Sequence, residues 1–198
     1  ALDAAEAFWQ AGITRILALR GDRPRAMQGP LSAGFAHASD LVAALAVRHD
    51  FEITVAAYPE KHPEAETLDD DIDHLKEKLD AGAKAAVCQF VLDPAAYGRF
   101  VERCGQHGID APILPGLMPL ERWMWVRSFA LANGVSVPDW LDQLFTRGEE
   151  TPELMPYLCA AATVEHARRL IAYGAPSLHV YAMNRWPLPL ALARLLGH

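Results

Sequence analysis

Short apolar runs alternate along the chain with longer amphipathic segments. The apolar runs have the length and composition of buried strands, and the longer segments have helical spacing. The predicted strands are residues 14–19, 52–58, 84–91, 111–116 and 177–183. The predicted helices are residues 3–11, 40–49, 69–81, 94–106, 121–132, 138–146, 153–173 and 187–196. Gly82 and Gly174 follow two of these helices, Pro94 opens another, and Ser39 is placed to cap the helix that begins at residue 40.

A strand followed each time by a helix is the pattern of βα units in a parallel sheet. A doubly wound dinucleotide-binding sheet would carry G-x-G-x-x-G after its first strand, and "ILALRGDRP" at residues 16–24 lacks it. A barrel instead has polar or glycine-rich residues where several strands end, and such residues follow all five runs. We therefore predict an α/β fold, a (β/α)8 TIM barrel. Residues 1–198 would form a single barrel domain that contains only the last five βα units and lacks the first three.

Composition excludes several classes of function. The chain is 52% hydrophobic and 22% charged, with a formal net charge of -7, so a nucleic-acid partner is not expected. Its longest apolar runs are far shorter than the roughly 20 residues of a spanning helix, and no signal peptide is recognisable. The three cysteines are widely spaced without a C-x-x-C pair, which favours the cytoplasm and buried packing roles over disulfides or zinc.

The segment Arg20-Gly21-Asp22 follows the first predicted strand directly. An adhesion tripeptide would need an exposed extracellular loop, which the cysteine usage disfavours. Two alternatives stay equally weighted: Asp22 faces a ligand at the strand end, or it caps a turn and pairs with a neighbouring arginine. Gln89 lies in the apolar run "AAVCQF". Because an amide both donates and accepts hydrogen bonds, Gln89 modestly favours ligand recognition over a backbone contact.

Other polar and aromatic residues near the strand ends leave their roles open. The loop after the second strand carries Tyr58, Glu60, His62 and Glu64. Its spacing matches no zinc site, and its local sequence is typical of a solvated loop. The helix "ERWMWVRSFA" carries Trp123, Trp125 and Phe129. These rings could stack on a flat ligand, although core packing more often explains such spacing. Arg185, after the last strand, could hold an anionic group or lie on the surface.

Four segments carry a resemblance to a known family. They are "ALRGD" (18–22), "VAAYPEKHPEA" (55–65), "LKEKLDAGAKAAVCQF" (75–90) and "ILPGLMPL" (113–120), and "MNR" (183–185) follows in order. Together they resemble the methylenetetrahydrofolate reductase family from about residue 8 onward. The resemblance implies a barrel that binds FAD and uses NADH or NADPH to reduce 5,10-methylenetetrahydrofolate to 5-methyltetrahydrofolate. Both substrates would use one flavin face in turn, which implies ping-pong kinetics.

The resemblance also assigns roles to individual residues. The implied FAD-binding residues are Arg20, Gly21, Asp22, Ala38, Tyr58, His62, Asp71 and Lys78. The implied folate-binding residues are Asp22, Gln89, Phe129, Tyr181 and Arg185. Asp22 and Gln89 are the implied catalytic residues, because Asp22 places charge near the flavin and Gln89 contacts both folate and nicotinamide. Lys78 and Arg20 would supply the positive charge that a pyrophosphate needs.

Some positions depart from the family pattern. The family commonly has Tyr at the position of His37, Asn at His74 and Arg at Glu77. It commonly has Thr at the position of Cys88 and Gln at Trp125. The Glu that serves the family as general acid ends its first strand, which has no counterpart in this sequence. We expect a cytoplasmic, homo-oligomeric FAD enzyme with no metal, membrane or nucleic-acid partner. The alternative is a non-catalytic flavin-binding barrel or an assembly subunit that lacks the general acid.

Overall fold

Five parallel strands in chain order form the centre of the protein. The computed structural model describes residues 1–19, 21, 35–148 and 150–197. The strands are β1 (Arg15–Ala18), β2 (Glu52–Ala57), β3 (Ala85–Phe90), β4 (Ile113–Leu117) and β5 (His179–Val180). The helices are α1 (Leu2–Gln10), α2 (Ala38–Ala46), α3 (Leu68–Asp80), α4 (Pro94–Gln106), α5 (Trp123–Ala132), α6 (Asp139–Gly148), α7 (Met155–Ala172) and α8 (Pro187–Leu195). A short 3-10 turn, Pro152–Leu154, precedes α7.

Each strand pairs with the next one along the chain, and all pairs are parallel. Parallel neighbours require a crossover, and helices lie between every two strands, as the sequence pattern predicts. The strand order β1-β2-β3-β4-β5 is that of part of a barrel. The predicted α/β class is therefore confirmed, while closure into a complete eight-stranded barrel stays a prediction.

One face of the sheet packs against helices and forms the main core. On β2 the buried residues alternate: Ile53, Val55 and Ala57 are at most 2% exposed, whereas the residues between them are partly exposed. The helices cover this face with large apolar side chains, including Ile72, Leu75, Tyr97 and Phe100. Burying a side chain of this size stabilises the fold by about 1.5–3 kcal/mol. The two-residue period of β2 thus fixes which side chains face the core.

The opposite face is more open at β1. Leu17 and Leu19 are 42% and 51% exposed, and they alternate with buried Ala18. Tyr58, which follows β2, and Gln89, near the end of β3, are partly exposed. The candidate polar side chains are thus not part of the helix-facing core.

A second apolar cluster lies where β3 and β4 end. It joins Phe90, the last residue of β3, and Leu92 beyond that strand to Met118 and Leu120 after β4 and to side chains of α5, α6 and α7. The long helix α7 is also tied to both strand ends by hydrogen bonds. His166 Nε2 lies 2.7 Å from the Val91 carbonyl oxygen, and the Leu120 amide donates to Thr163 Oγ1 at 3.0 Å. This cluster holds the loops that carry the candidate site.

Several predicted boundaries are wrong. Ser39 lies inside α2, and His37 is the N-cap residue, because the His37 amide donates to the Asp40 carboxylate at 3.0 Å. The last strand was predicted over residues 177–183 but only His179 and Val180 are in it, paired with Gly116 and Leu117. A strand persists only where its backbone finds a partner, and apolar sequence alone does not supply one.

Two predictions from composition can be compared with the described residues. Cys88, Cys104 and Cys159 are all buried and unpaired, as expected for packing residues. Within the described ranges, no helix is long and apolar enough to cross a membrane.

His166 should make the stability of the protein depend on pH. A carbonyl oxygen only accepts, so Nε2 carries the proton, and buried Nδ1 has no partner in the described structure. Burial lowers the pKa of His166 to about 4. Between pH 6.5 and 4 the unfolded chain therefore binds a proton that the folded chain does not. We expect His166 to reduce the free energy of unfolding by about 3 kcal/mol over this range.

Urea unfolding of the wild type and His166→Gln at pH 7, 5.5 and 4 measures this effect. The difference between the two proteins should shrink as pH falls, because only the wild type loses the His166 contribution. His74→Gln, at an exposed position of α3, is the control and should keep the wild-type profile. A constant difference between wild type and His166→Gln would contradict the assignment.

Candidate functional site

The register of β2 and β3 places two predicted site residues side by side. Ala57 pairs with Cys88, so Tyr58 and Gln89 follow as neighbours at the carboxyl edge of the sheet. They line a narrow cleft whose walls are residues 58–61 and 133–135 and whose base is residues 89–91. In parallel α/β sheets this edge is where ligands bind. The cleft is thus the candidate functional site.

Glu60 bridges the two walls of the cleft. The Ser136 amide donates to both carboxylate oxygens of Glu60, at 3.1 and 3.0 Å, and the Ser136 hydroxyl contacts the same carboxylate. The next residue, Lys61, has a φ of 78°, a strained conformation for a residue with a side chain. Its ammonium group donates to the Ala65 carbonyl at 2.5 Å. The loop is therefore ordered by its own contacts where it lines the cleft, while Pro63 and Glu64 are exposed to solvent as predicted.

A second group of predicted residues connects this loop to α3. The His62 amide donates to the Asp71 carboxylate at 2.8 Å, and Asp71 is only 8% exposed. The rings of Tyr58 and His62 meet edge to face, 4.6 Å between centroids. Three residues that the resemblance assigned to FAD are thus brought together by one loop and one helix.

Lys78 extends the same group from α3. Helical side chains lean toward the helix N-terminus, and Lys78 reaches the carboxyl end of β2, where its Nζ donates to the Ala56 carbonyl at 2.7 Å. Burial lowers the pKa of Lys78 below its ordinary value, while the charge of Asp71 opposes that shift. The result is a positive charge kept at the sheet edge with little solvent around it. Glu77, one residue earlier, is exposed.

Gln89 lies in an irregularity of β3. Val87 pairs with Leu114 and Phe90 pairs with Gly116, and the register shifts between them. Two β3 residues, Cys88 and Gln89, therefore oppose a single β4 residue, which is the arrangement of a β-bulge. A bulge bends its strand locally and redirects side chains. The side-chain amide of Gln89, which is predicted to be catalytic, thus projects from the bulge and not from a regular strand.

Tyr181 holds the bulge from the far side of β4. Its hydroxyl donates to the Cys88 carbonyl at 3.2 Å, and its ring crosses β4 at Gly116. A Cβ at Gly116 would lie 2.5 Å from Tyr181 Cε2, 2.6 Å from the Cys88 oxygen and 2.9 Å from Phe90 Cα. The absence of a side chain at residue 116 allows this close approach.

An aromatic row follows Gln89. Phe90 stacks on Phe129 with 5.4 Å between centroids, and Phe129 stacks on Trp125 at 5.1 Å. Arg122 lies over Trp125 at 5.9 Å. Phe90 is buried, whereas Phe129 and Trp125 are 37% and 36% exposed. The row leads from the sheet edge to the surface. Phe129 therefore packs on its neighbours and also has exposed ring surface on which a ligand could stack.

Three further residues that were predicted to bind FAD or folate lie apart from the cleft. Arg185 donates to Glu121 at 2.6 Å and follows Met183 and Asn184, whose φ values are 49° and 59°. Ala38 is the first residue of α2. Gly21 follows β1 with a φ of 77°.

Arg20 and Asp22 lie outside the described residues, so their predicted roles stay predictions. Among the residues that are described, no group of three or more His, Cys, Asp or Glu side chains is arranged to hold a metal ion.

Sequence reasoning missed the bridge and the bulge. No local pattern pairs Glu60 with Ser136, which are 76 positions apart. The bulge had a signal: Gly116 follows Pro115 at the end of the predicted strand 111–116, and glycine in a strand often marks a bulge or a close backbone approach. The hydrogen bond of the Tyr181 hydroxyl had no signal in the sequence, because its acceptor is a backbone carbonyl that any residue could supply.

Comparison with known proteins decides the family. The sequence profile of the methylenetetrahydrofolate reductase family matches residues 2–197. The chain belongs to the methylenetetrahydrofolate reductase family. It is 38% identical to the 5,10-methylenetetrahydrofolate reductases of Pectobacterium carotovorum subsp. carotovorum and Escherichia coli (strain K12), in each case over 98% of this chain. The match spans 63% and 64% of those proteins, respectively, which is less than two thirds of their length.

A solved structure shares the fold. It is an uncharacterized protein from Clostridium thermocellum described as binding two copies of 5-methyl-5,6,7,8-tetrahydrofolic acid. The TM-score is 0.53 at 19% identity, with 80% of this chain and 58% of that chain covered. At this identity the likeness supports the α/β architecture.

Gly116→Ala should damage both the bulge and the fold. The added methyl group would meet two backbone atoms that cannot rotate away, so we expect a loss of about 3 kcal/mol in the free energy of unfolding. Gly105→Ala is the matched control on α4, where a Cβ meets nothing within 4 Å. That change should be neutral or stabilising by up to about 1 kcal/mol. Equal urea midpoints for Gly116→Ala and wild type would contradict the close approach.

Proposed function

We propose that this chain forms the larger part of an FAD-dependent enzyme that reduces 5,10-methylenetetrahydrofolate to 5-methyltetrahydrofolate with NADH or NADPH. The observation that carries the proposal is the position of Gln89. Its amide lies in a bulge at the base of a cleft, beside Tyr58, in a chain of the methylenetetrahydrofolate reductase family. The likeness to a fold described as binding a methylated folate agrees with a folate substrate.

The described residues fit a dinucleotide cofactor. An ammonium group has three donors, and Lys78 spends one on the Ala56 carbonyl, which leaves donors for an anionic pyrophosphate. Tyr58 and His62 pack together in the loop after β2, and buried Asp71 orders that loop through the His62 amide. Gly21 and Ala38, with Arg20 and Asp22 outside the described residues, would complete the set. A bound flavin supplies the hydride relay between the nicotinamide and the folate.

Gln89 would serve both substrates. A side-chain amide can donate to a ring carbonyl and accept from a ring N–H without changing its charge. Because both substrates would contact the same amide, a folate ring and a nicotinamide would bind in turn, which would account for the proposed ping-pong kinetics. Asp22 would place a negative charge beside the same site and stabilise a cationic form of the folate.

The folate tail would follow the aromatic row. Phe129 would stack on the aminobenzoate ring, with Trp125 extending the row toward solvent. Tyr181 would lie along the path, and Arg185 would meet the carboxylates of the tail. Because Arg185 already contacts Glu121, folate binding would have to share or exchange that ion pair.

One prediction of the proposed function concerns the cofactor. Purified full-length protein should show the visible absorption bands of a bound flavin, and anaerobic NADH or NADPH should bleach them. Addition of 5,10-methylenetetrahydrofolate should restore the bands. A protein that stays colourless after reconstitution with FAD would overturn the proposal, whereas bound FAD without folate turnover would favour the non-catalytic flavin-binding alternative.

A second prediction of the proposed function concerns Gln89. Gln89→Ala removes the amide but leaves the strand, so turnover of folate should fall by about tenfold to a hundredfold. Gln106→Ala, at the exposed end of α4, is the matched control and should keep wild-type turnover. Stopped-flow absorbance of the flavin measures both half-reactions separately. Unchanged rates in Gln89→Ala would remove this residue from the mechanism.

A further inference from the structure

Tyr181 and Gln89 are connected through the backbone of β3. Tyr181 follows β5, its ring crosses β4 at Gly116, and its hydroxyl reaches the Cys88 carbonyl on β3. Cys88 and Gln89 are the two residues of the bulge. A bulge interrupts the regular ladder between strands, so its local conformation depends on contacts outside the ladder. The hydrogen bond from Tyr181 is such a contact, one peptide bond away from Gln89.

The hydroxyl of Tyr181 is committed to this contact. Burial is the main cause that raises the pKa of Tyr181 above its ordinary value, and the nearby Cys88 and Tyr58 add to the shift. The hydroxyl therefore keeps its proton at neutral pH. A phenol has one proton to donate, and the Cys88 carbonyl can only accept it. While this bond is made, the proton is not available to a ligand.

The ring of Tyr181 is braced on both sides. His179, two residues earlier, meets it edge to face with 4.9 Å between centroids. His179 is paired with Gly116 in the β4–β5 register, and the Gly116 backbone lies under the Tyr181 ring. The Tyr181 amide also donates to the Leu117 carbonyl at 2.9 Å. The side chain is thus held by His179 of β5 and Gly116 of β4.

We infer that Tyr181 is a positioning residue that fixes the β3 bulge through the Cys88 carbonyl and thereby aims the Gln89 amide into the cleft. This role differs from a direct contact with the folate tail. It rests on the proposed function for the task that Gln89 performs, but the positioning itself is a property of the fold. The function of Tyr181 would then depend on Gln89 being present.

Tyr181→Phe tests the role because it removes the hydroxyl and keeps the ring. Tyr97→Phe is a matched control: Tyr97 also donates to a strand carbonyl, that of Ile113 at 2.8 Å, on the helix-facing side of the sheet. Hydrogen exchange followed by mass spectrometry would compare a peptide that spans residues 85–91. We expect exchange in this peptide to rise by about threefold to tenfold in Tyr181→Phe at sites whose amides open locally. Ile113 pairs with Ala86 in the β3–β4 register, so Tyr97→Phe should alter exchange only at the start of this peptide. Overlapping peptides that resolve residues 88–91 should show wild-type exchange there.

A double-mutant cycle with Gln89→Ala separates positioning from substrate contact. Tyr181→Phe alone should reduce folate turnover by about threefold to tenfold. In the Gln89→Ala background the same change should have little further effect, because the group that Tyr181 positions is gone. Equal losses in both backgrounds would overturn the positioning role and place Tyr181 in contact with substrate.

The two ideas fail in different ways. Unchanged exchange of residues 85–91 in Tyr181→Phe overturns the inference whether or not the protein reduces folate. Wild-type protein without folate turnover overturns the proposed function, and the exchange comparison still decides the role of Tyr181. Two results together support both the inference and the proposed function. Tyr181→Phe increases exchange in residues 85–91, and it reduces folate turnover in the wild-type background but not in Gln89→Ala.

Discussion

Parallel pairing of β3 with β2 on one side and β4 on the other is the constraint on which the candidate site depends. The β2–β3 register brings Tyr58 beside Gln89, and the shift in the β3–β4 register makes the bulge that presents Gln89. Backbone hydrogen bonds impose this geometry over several residues at once, so one strand cannot shift against the next without breaking bonds along the pair. The chemistry of the cleft is therefore a consequence of strand register.

The surroundings of the cleft are built to keep that register. The apolar cluster of α5, α6 and α7 closes over the ends of β3 and β4, and His166 and Thr163 tie α7 to the chain just beyond them. Glu60 and Ser136 join the two walls of the cleft. Apolar packing supplies most of the free energy of folding, and these hydrogen bonds fix the positions of the loops around the cleft. Because His166 is buried in its neutral form, the same arrangement lowers the free energy of unfolding at low pH.

The departures from the family pattern acquire a physical meaning in this structure. Cys88 is fully buried, and its backbone carbonyl, which any residue would supply, contacts Tyr181. Trp125 extends the aromatic row beyond Phe129. Glu77 is exposed on α3, next to Lys78, which reaches the sheet edge. A change at Cys88 therefore alters packing, whereas a change at Trp125 alters the surface path out of the cleft.

The sequence by itself determined the order of strands and helices, the α/β class, the burial of the cysteines and the family. Each of these follows from local periodicity, from helix-ending glycines or from motifs that lie within short segments. Only the tertiary structure decided the extent of β5, the Glu60–Ser136 bridge and the hydrogen bond of Tyr181 to the bulge, which depend on residues far apart in the chain. The cap of α2 is a local contact between His37 and Asp40, and the prediction that placed it at Ser39 was wrong. Gly116 lies between the two cases, because glycine in a strand signals a close approach while only the fold shows that Tyr181 makes it.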